Sequence, residues 1–293
     1  MNSDTEQIRN LLESWLTTRL DPVSMAWVLD RQAVIHSDDK RGLYLAFGMA
    51  PRKVGKSLLV LTDDELSAAD AVRPGWILLG WRIDQAVRTL FVLSLPSQEP
   101  ALFVSTLDQL FAAGEVGELV ALYQALPLFP HPSSHILRAA EGIRTNIKAV
   151  FCAVAHRNPY PAEQFSEDQW NQMVLKCQFI GAPMSPIIGL DQRANARLSS
   201  MVIDFVHERW AAKRQVAPDM WRCVGPFADV RACVDLEKVL TTGSTVERHA
   251  AALALSQCPD PNAKGILAVA SDLVQDIATG KITWATIDEM GSD

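Results

Sequence analysis

The sequence predicts an all-α protein, a helical-repeat (HEAT/ARM-like) α-solenoid of antiparallel helix pairs with about twelve helices. Three observations support this class. Apolar residues recur with the spacing of a helix packed on one side, helix-start signals recur along the chain, and alternating strand patterns are nearly absent. With 48% apolar and 21% charged residues over 293 positions, the composition is that of a globular protein and not of a disordered one.

Helix-start signals begin near the N-terminus. Four pairs fit the capping box, in which a Ser or Thr oxygen and a Glu or Gln side chain three residues later satisfy each other's backbone N–H groups: Ser3 with Glu6, Thr62 with Glu65, Ser166 with Gln169, and Ser244 with Glu247. Proline stands where a helix can begin at Pro22, Pro100 and Pro218. These signals divide the chain into helices with short connections.

Apolar stripes fill the intervals between these signals. They are clearest in the segments 8–16, 103–111, 136–154 and 266–277, the last of which is closed by Gly280. Only 58–61 and 77–79 resemble strands, and both are too short to build a sheet.

The C-terminal part, 228–281, is predicted to fold as HEAT-like pairs, because small residues at 250–254 would let helices pack closely. The upstream helices show no clean period, and an irregular orthogonal bundle is the alternative to the solenoid architecture. We expect a single domain, 1–293, with N-terminal helices over 1–73, a core over 74–227 and the HEAT-like helices after it.

Charge and targeting signals restrict the function classes. The net charge is −7, which disfavours a broad phosphate-binding surface and hence a nucleic-acid partner. The polar N-terminus has no signal-peptide pattern, and the longest uncharged stretch, 119–137, contains three prolines and cannot span a membrane. The five cysteines fit no ligand spacing. We therefore expect a cytoplasmic protein with no metal and no cofactor.

The first candidate site follows Gly80. Trp81, Asp84, Gln85 and Arg88 share one helix face, opposite the natural core face. A tryptophan among charges indicates that the polar face is itself covered. We expect a covered ion pair between Asp84 and Arg88, four residues apart, in a functional site or an interface.

The second candidate is the segment 167–180, whose apolar residues point all round the helix axis and predict burial. A buried Asn171 or Lys176 would need a partner. By type, the candidates are Glu141 and Arg144 before this helix and Asp204 and His207 after it. We expect Lys176 to contact Glu141 or Asp204. The alternative is that Lys176 points outward to solvent.

Two further patterns carry less weight. Asp204, His207 and Glu208 could present a metal or an acid–base pair, but a solvated helix face is the simpler interpretation. Gly55-Lys56-Ser57 lacks the glycine that a phosphate loop requires five residues before its Gly-Lys, since Ala50 occupies that position. We interpret this segment as an ordinary loop.

Several long motifs resemble the EboA family, and they cover residues 74–227 best. They include Trp81-x-x-Asp84-Gln85-x-x-Arg88, the run from Ala139 to Asn146, the run from Trp170 to Lys176, and His207-Glu208-Arg209-Trp210. The resemblance implies a protein encoded in a secondary-metabolite gene cluster beside a UbiA-like membrane prenyltransferase and other enzymes. It carries no catalytic assignment, so Asn146 and the other matched polar residues are binding or polar-network candidates only.

Residues and resemblance together predict a non-catalytic helical accessory protein. Such a protein would bind a hydrophobic or prenylated small molecule, or a partner such as the UbiA-like prenyltransferase or another cluster enzyme, in the biosynthesis or export of a prenylated compound. Two alternatives stay open at this stage. The first is an enzyme that uses the central polar residues for acid–base or metal-assisted chemistry, and the second is a structural adaptor without a small-molecule site.

Overall fold

The computed structural model describes residues 3–37 and 39–290, with the side chain of Ser3 outside the description. These residues form seventeen α-helices and four short 3-10 helices, and the only ladder contact among them is one β-bridge between Leu58 and Arg82. The all-α prediction is confirmed, although the helices are more numerous than the twelve or so expected. No helix in this part of the chain combines the length and hydrophobicity that crossing a bilayer requires.

The chain divides into two compact units, Met1–Ser166 and Glu167–Asp293. The boundary lies inside the segment that the sequence marks as one core region. Unit 1 contains ten α-helices in its described part: α1 (Ser3–Arg19), α2 (Pro22–His36), α3 (Lys40–Val54), α4 (Asp63–Val72), α5 (Ile83–Leu93), α6 (Pro100–Ala113), α7 (Val116–Gln124), α8 (Ile136–Arg144), α9 (Lys148–Ala155) and α10 (Tyr160–Gln164). Two 3-10 helices, Leu126–Leu128 and Pro132–His135, precede α8.

Helix α5 is the centre of unit 1. It packs against α1, α2, α3 and α7, and all of its residues are buried. Its apolar face carries Leu90 and Phe91, both without exposed surface, and each such side chain stabilises the fold by about 1.5–3 kcal/mol. Because neighbours surround α5 on every side, its polar face is buried as well.

The sequence predicted one helix for the apolar stripe over 136–154, but the structure divides this segment into α8 and α9. The chain leaves the helix at Thr145, whose hydroxyl accepts a hydrogen bond from the Ile147 N–H (3.1 Å) before α9 begins. The break lets α8 and α9 pack against each other. Their contact requires Gly142, since a Cβ there would lie 2.6 Å from Val154 Cγ2 and 2.7 Å from Tyr123 Cε1.

Unit 2 contains seven α-helices in its described part: α11 (Glu167–Ile180), α12 (Ala196–Ala211), α13 (Val230–Thr242), α14 (Thr245–Ser256), α15 (Pro261–Ala268), α16 (Ser271–Ala278) and α17 (Trp284–Met290). The 3-10 helices Pro218–Cys223 and Gly225–Phe227 join α12 to α13. Helix α14 is central and contacts α13, α15, α16, α17 and both 3-10 helices. This arrangement does not confirm a regular repeat, in which each pair would contact only its neighbours.

Capping chemistry correctly predicts the starts of two helices, while the capping box predicted at Ser3 involves a side chain outside the described residues. Thr62 begins α4 and Ser244 begins α14, each with its Glu three residues later completing the capping box. The stripe over 266–277 was predicted as one helix, and this is wrong: the chain turns at Ala270, which separates α15 from α16. The turn allows both short helices to pack against α14.

Helix α11 has the predicted bounds but not the predicted burial on all sides. Trp170, Met173, Val174 and Cys177 are buried, whereas Phe179 is 71% exposed. A helix with one exposed face does not force all of its polar residues inward. The premise for a buried Lys176 is therefore weaker than the sequence suggested.

Candidate functional site

A cavity of about 300 Å³ opens in unit 1 where the C-terminal half of α3 meets the N-terminal ends of α5 and α7. We call it the α5 cavity. It is lined by the cations Arg52, Lys56, Arg82 and Arg88 and by the carboxylates Asp84, Glu115 and Glu118. Two helix N-termini end at this cavity, and their dipoles favour negative charge there. It therefore places four cations beside three carboxylates in a partly enclosed space.

The floor of the α5 cavity is the ion pair predicted from the sequence. Arg88 Nη1 lies 2.7 Å from Asp84 Oδ2, and the two residues are only 4% and 0% exposed. The second oxygen of Asp84 accepts a hydrogen bond from Arg82 Nε (3.1 Å). Trp81 precedes α5 and does not share its face, as the sequence had wrongly predicted, but it is buried, at 5% exposed. The expectation of a covered ion pair is confirmed.

Arg88 also donates a hydrogen bond to a backbone carbonyl of α3 that lacks its usual helical donor. Pro51 lies inside α3 and has no N–H, so the Phe47 carbonyl loses the donor that residue 51 would supply in a regular helix. Arg88 Nε donates to this carbonyl instead (3.0 Å), and the guanidinium lies 5.3 Å from the centre of the Phe47 ring. Burial lowers the pKa of Arg88, and the charges of Asp84 and Glu118 oppose that shift. The guanidinium therefore stabilises both the cavity floor and α3.

The remaining charges of the cavity differ in how they are satisfied. Glu118 accepts a hydrogen bond from its own helix start, the Glu115 N–H (3.1 Å), and lies 3.7 Å from Arg88 Nη2. The exposed side chains of Arg52 and Lys56 form no hydrogen bond or ion pair with any residue that the structure describes. The cavity therefore has two cations at its rim that are available to an incoming anion.

The other unit 1 candidates lie on or just after α8, and none of them lines the α5 cavity. Glu141 pairs with Arg138, which also binds Asp108 (2.9 Å). Arg144 and Asn146 are exposed at the break between α8 and α9. These residues therefore take no part in the cavity that Asp84 and Arg88 line.

In unit 2, Asn171 has a clear structural partner. Its side-chain amide exchanges two hydrogen bonds with that of Asn195, at 2.9 and 3.2 Å. Asn195 also begins α12, because its Oδ1 accepts from the Leu198 N–H (2.8 Å). Asn171 therefore fixes the start of α12 relative to α11, a role that requires no ligand.

The expected ion pair between Lys176 and Asp204 does not form. Asp204 is exposed and faces Arg231 at 3.4 Å. Lys176 is half-buried and pairs with no acidic group in the described part of unit 2, while partial burial lowers the pKa of its ammonium. The exposed face of α11 explains the error, because a lysine beside it can extend to solvent.

His207 has the most chemically suggestive partner in unit 2. Its Nε2 lies 2.7 Å from Asp235 Oδ2, at the edge of an open cleft of about 570 Å³. Val230 and Val234 line the same cleft. The imidazole is about 41% exposed, so a solute could reach it, while Asp235 is mostly covered.

Comparison with known proteins gives one match, to the family described as metabolite traffic protein EboA, over residues 8–225. The chain belongs to the EboA family. No curated protein and no solved structure matched the chain. The EboA match covers well over half of the chain and includes the α5 cavity, Asn171 and His207. The family description indicates a role in moving a metabolite.

Sequence reasoning missed most of the cavity that this EboA chain forms. Arg52, Arg82 and Glu118 are distant in sequence, and no local spacing relates them. One signal was present: Lys56 belongs to the Gly-Lys-Ser segment that fails as a phosphate loop. That segment is a loop, as predicted, and Gly55 ends α3 there with a φ of 79° instead of beginning a helix. Its lysine nonetheless reaches the rim of the cavity.

Proposed function

We propose that this chain is a non-catalytic accessory protein that holds a small hydrophobic, prenylated intermediate of a secondary-metabolite pathway in the α5 cavity. The observation that carries the proposal is the cavity itself, in which the buried Asp84–Arg88 pair underlies an open space with two unpaired cations at its rim. Fixed polar groups in a concave site orient a ligand, and the seven charged side chains of this cavity would orient the polar end of such an intermediate. The EboA family description, metabolite traffic, agrees with a carrier.

The bonding of Asp84 supports binding over catalysis at this cavity. Each of its carboxylate oxygens is bound by a different guanidinium group, from Arg82 and from Arg88. A carboxylate held in this way positions other groups and is poorly placed to accept a proton from a substrate. The pair is therefore a rigid floor against which a bound molecule can rest.

The resemblance of the chain to cluster-encoded proteins supports a destination for the ligand. In this proposal the protein delivers the intermediate to, or receives it from, a UbiA-like membrane prenyltransferase or another enzyme of the cluster. The chain would then shield the apolar part of the intermediate from water between two steps.

The test fills the cavity without changing its charge. A Cβ at Gly117 meets no atom within 4 Å, so Gly117→Leu adds a side chain to the cavity wall without a clash at that atom. Gly265→Leu is the matched control, because Gly265 is equally free of contacts but lies on α15 of unit 2. Each protein is purified from its native host and extracted with organic solvent, and the extract is analysed by mass spectrometry.

We expect the same small molecule in extracts of the wild type and of Gly265→Leu, and its loss from Gly117→Leu. Equal amounts in all three extracts would place the ligand elsewhere and overturn the proposed site. Extracts of the wild type that contain no molecule in stoichiometric amount would contradict a carrier function.

A catalytic role is the second candidate, and the His207–Asp235 contact favours it. A carboxylate that holds an imidazole at the edge of a cleft is the arrangement of a general base. If the protein is an enzyme, the extracted molecule or its precursor should change mass on incubation with wild type but not with His207→Asn. An unchanged mass with both proteins would leave only the binding role.

A further inference from the structure

The rim of the α5 cavity continues into an exposed apolar surface. Leu58 and Arg82 face each other across the β-bridge, in a pair flanked by hydrogen bonds from Leu59 N–H to the Trp81 carbonyl (2.8 Å) and from Ile83 N–H to the Ser57 carbonyl (2.9 Å). Directly opposed residues in such a pair direct their side chains to the same face. Leu58 therefore lies beside the Arg82 side chain, which lines the cavity.

Leu58 is part of a larger exposed strip. Leu59 is buried, so its neighbours Leu58 and Val60 point outward along the extended segment, at 61% and 71% exposed. Leu79 is 68% exposed in the turn that leads into Trp81, whose carbonyl accepts from the Leu59 N–H. We call Leu58, Val60 and Leu79 the apolar strip. Three large apolar side chains exposed on the two segments that the β-bridge joins favour an interaction surface.

The cations at the cavity rim and the neighbouring apolar strip together determine which class of ligand could bind. Arg52 and Lys56 offer unpaired cations at the rim of the cavity, and the Leu58–Arg82 pair connects the apolar strip to the same cavity through Arg82. An anionic group would bind the two unpaired cations through charge-assisted hydrogen bonds. An attached hydrocarbon chain would cover the strip and remove it from water.

We propose that the ligand is an amphipathic anion, with its phosphate or carboxylate group bound by Arg52 and Lys56 and its hydrocarbon chain lying along the apolar strip. This inference rests on the proposed carrier function and specifies its ligand class. The ligand is a single molecule and not a lipid within a bilayer. The reason is that two unpaired cations at the rim of a cavity that also carries Glu115 and Glu118 are fewer than the clusters of about four to eight cations that bind an anionic membrane surface.

The test uses four probes, each at a concentration at which it is dissolved and forms no micelles, with binding measured by calorimetry. Dodecyl phosphate carries both features, dodecanol only the chain, inorganic phosphate only the anion, and dodecyltrimethylammonium the opposite charge. We expect dodecyl phosphate to bind at least tenfold more tightly than each of the others, a difference of about 1.4 kcal/mol or more. Raising the salt concentration should weaken its binding, because exposed charges are screened.

Two double variants test the two parts of the site. Arg52→Gln with Lys56→Gln removes the unpaired cations, and Lys53→Gln is its control, since Lys53 lies next to Arg52 but does not line the cavity. Leu58→Ser with Val60→Ser removes two of the three side chains of the strip, and Leu137→Ser is its control, since Leu137 is 78% exposed on α8. Each double variant should weaken dodecyl phosphate about tenfold or more, and each control should change it less than twofold.

Each outcome supports or overturns a specific claim. Equal binding of dodecanol and dodecyl phosphate, unaffected by loss of the two cations, would overturn the anion inference and leave the carrier function standing. Equal binding of all three dodecyl compounds irrespective of charge would show non-specific adsorption of the hydrocarbon chain and would overturn the amphipathic-anion inference. Sedimentation with vesicles of phosphatidylcholine and phosphatidylglycerol, without binding of monomeric dodecyl phosphate, would replace the single-molecule ligand with a membrane surface. Binding of no probe, together with solvent extracts that contain no molecule, would reject both proposals.

Discussion

Replacement of Arg88 by methionine is the sharpest test of how the cavity floor is built. Methionine keeps much of the length of the side chain but removes every donor. Asp84 then keeps only Arg82 Nε as a charged partner, at 3.1 Å. Water cannot replace the lost partner, because Asp84 has no exposed surface. Removal of one partner from a buried ion pair costs about 3–5 kcal/mol, because the other charge stays buried without compensation.

A second loss accompanies the first. The Phe47 carbonyl loses its donor, since Pro51 cannot provide one, and an unsatisfied buried acceptor costs about 1–3 kcal/mol. Arg82 compensates part of the charge, so we expect a total near 4 kcal/mol, within the range for a broken buried pair. For a unit of this size the melting temperature should fall by roughly 10 °C.

Two companion variants separate these losses. Pro51→Ala restores an N–H that can bond to the Phe47 carbonyl, so Arg88→Met should cost about 1 kcal/mol less in that background. Asp84→Leu combined with Arg88→Met removes both charges and should be closer to the wild type than Arg88→Met alone. All variants are compared by urea denaturation at neutral pH. A cost below about 1 kcal/mol for Arg88→Met would show that the pair is not the buried support described here.

Three other predictions concern stability and pH. Gly142→Ala should destabilise the protein by about 1–2 kcal/mol through overpacking between α8 and α9, whereas the matched Gly265→Ala should stabilise it by about 0.5–1 kcal/mol; equal effects in thermal melts would contradict the close approach at Gly142. Burial lowers the pKa of His135, so the unfolded chain takes up a proton first as pH falls below about 6.5. The wild type should therefore lose stability between pH 7.5 and 5.5 relative to His135→Gln, which can still donate to the Pro130 carbonyl; parallel pH profiles would refute this. Asn195→Ala should cost about 1–3 kcal/mol by removing the α12 cap and leaving Asn171 unpaired, and Asn195→Ser, which can keep the cap, should cost less in the same melts.

Local chemistry in the sequence was sufficient to predict individual helices. Capping at Thr62 and Ser244 places the starts of α4 and α14, because such hydrogen bonds involve residues three apart. Periodicity alone did not reveal the breaks at Thr145 and Ala270. A helix can end and restart in the same register of apolar residues, so the stripe continues while the backbone turns.

The site was predictable only where its residues share a helix. Asp84 and Arg88 lie four residues apart on α5, and the spacing predicts their contact. Their link to Phe47 depends on Pro51 in another helix, and the unpaired Lys56 reaches the cavity from a loop. These relations arise from tertiary packing and leave no pattern in the sequence. The prediction for Lys176 was wrong for the same reason, since the exposed face of α11 is a property of the fold.

Hydrogen-exchange mass spectrometry tests the central claim that the α5 cavity is the ligand site. Ligand-free protein is compared with protein to which the molecule extracted from the native host has been added back. We expect slower amide exchange in the segments that form the cavity and its strip, residues 47–60, 79–88 and 115–118, with unit 2 unchanged. Slower exchange confined to the cleft beside His207 and Asp235 would contradict the account and place the ligand site in unit 2.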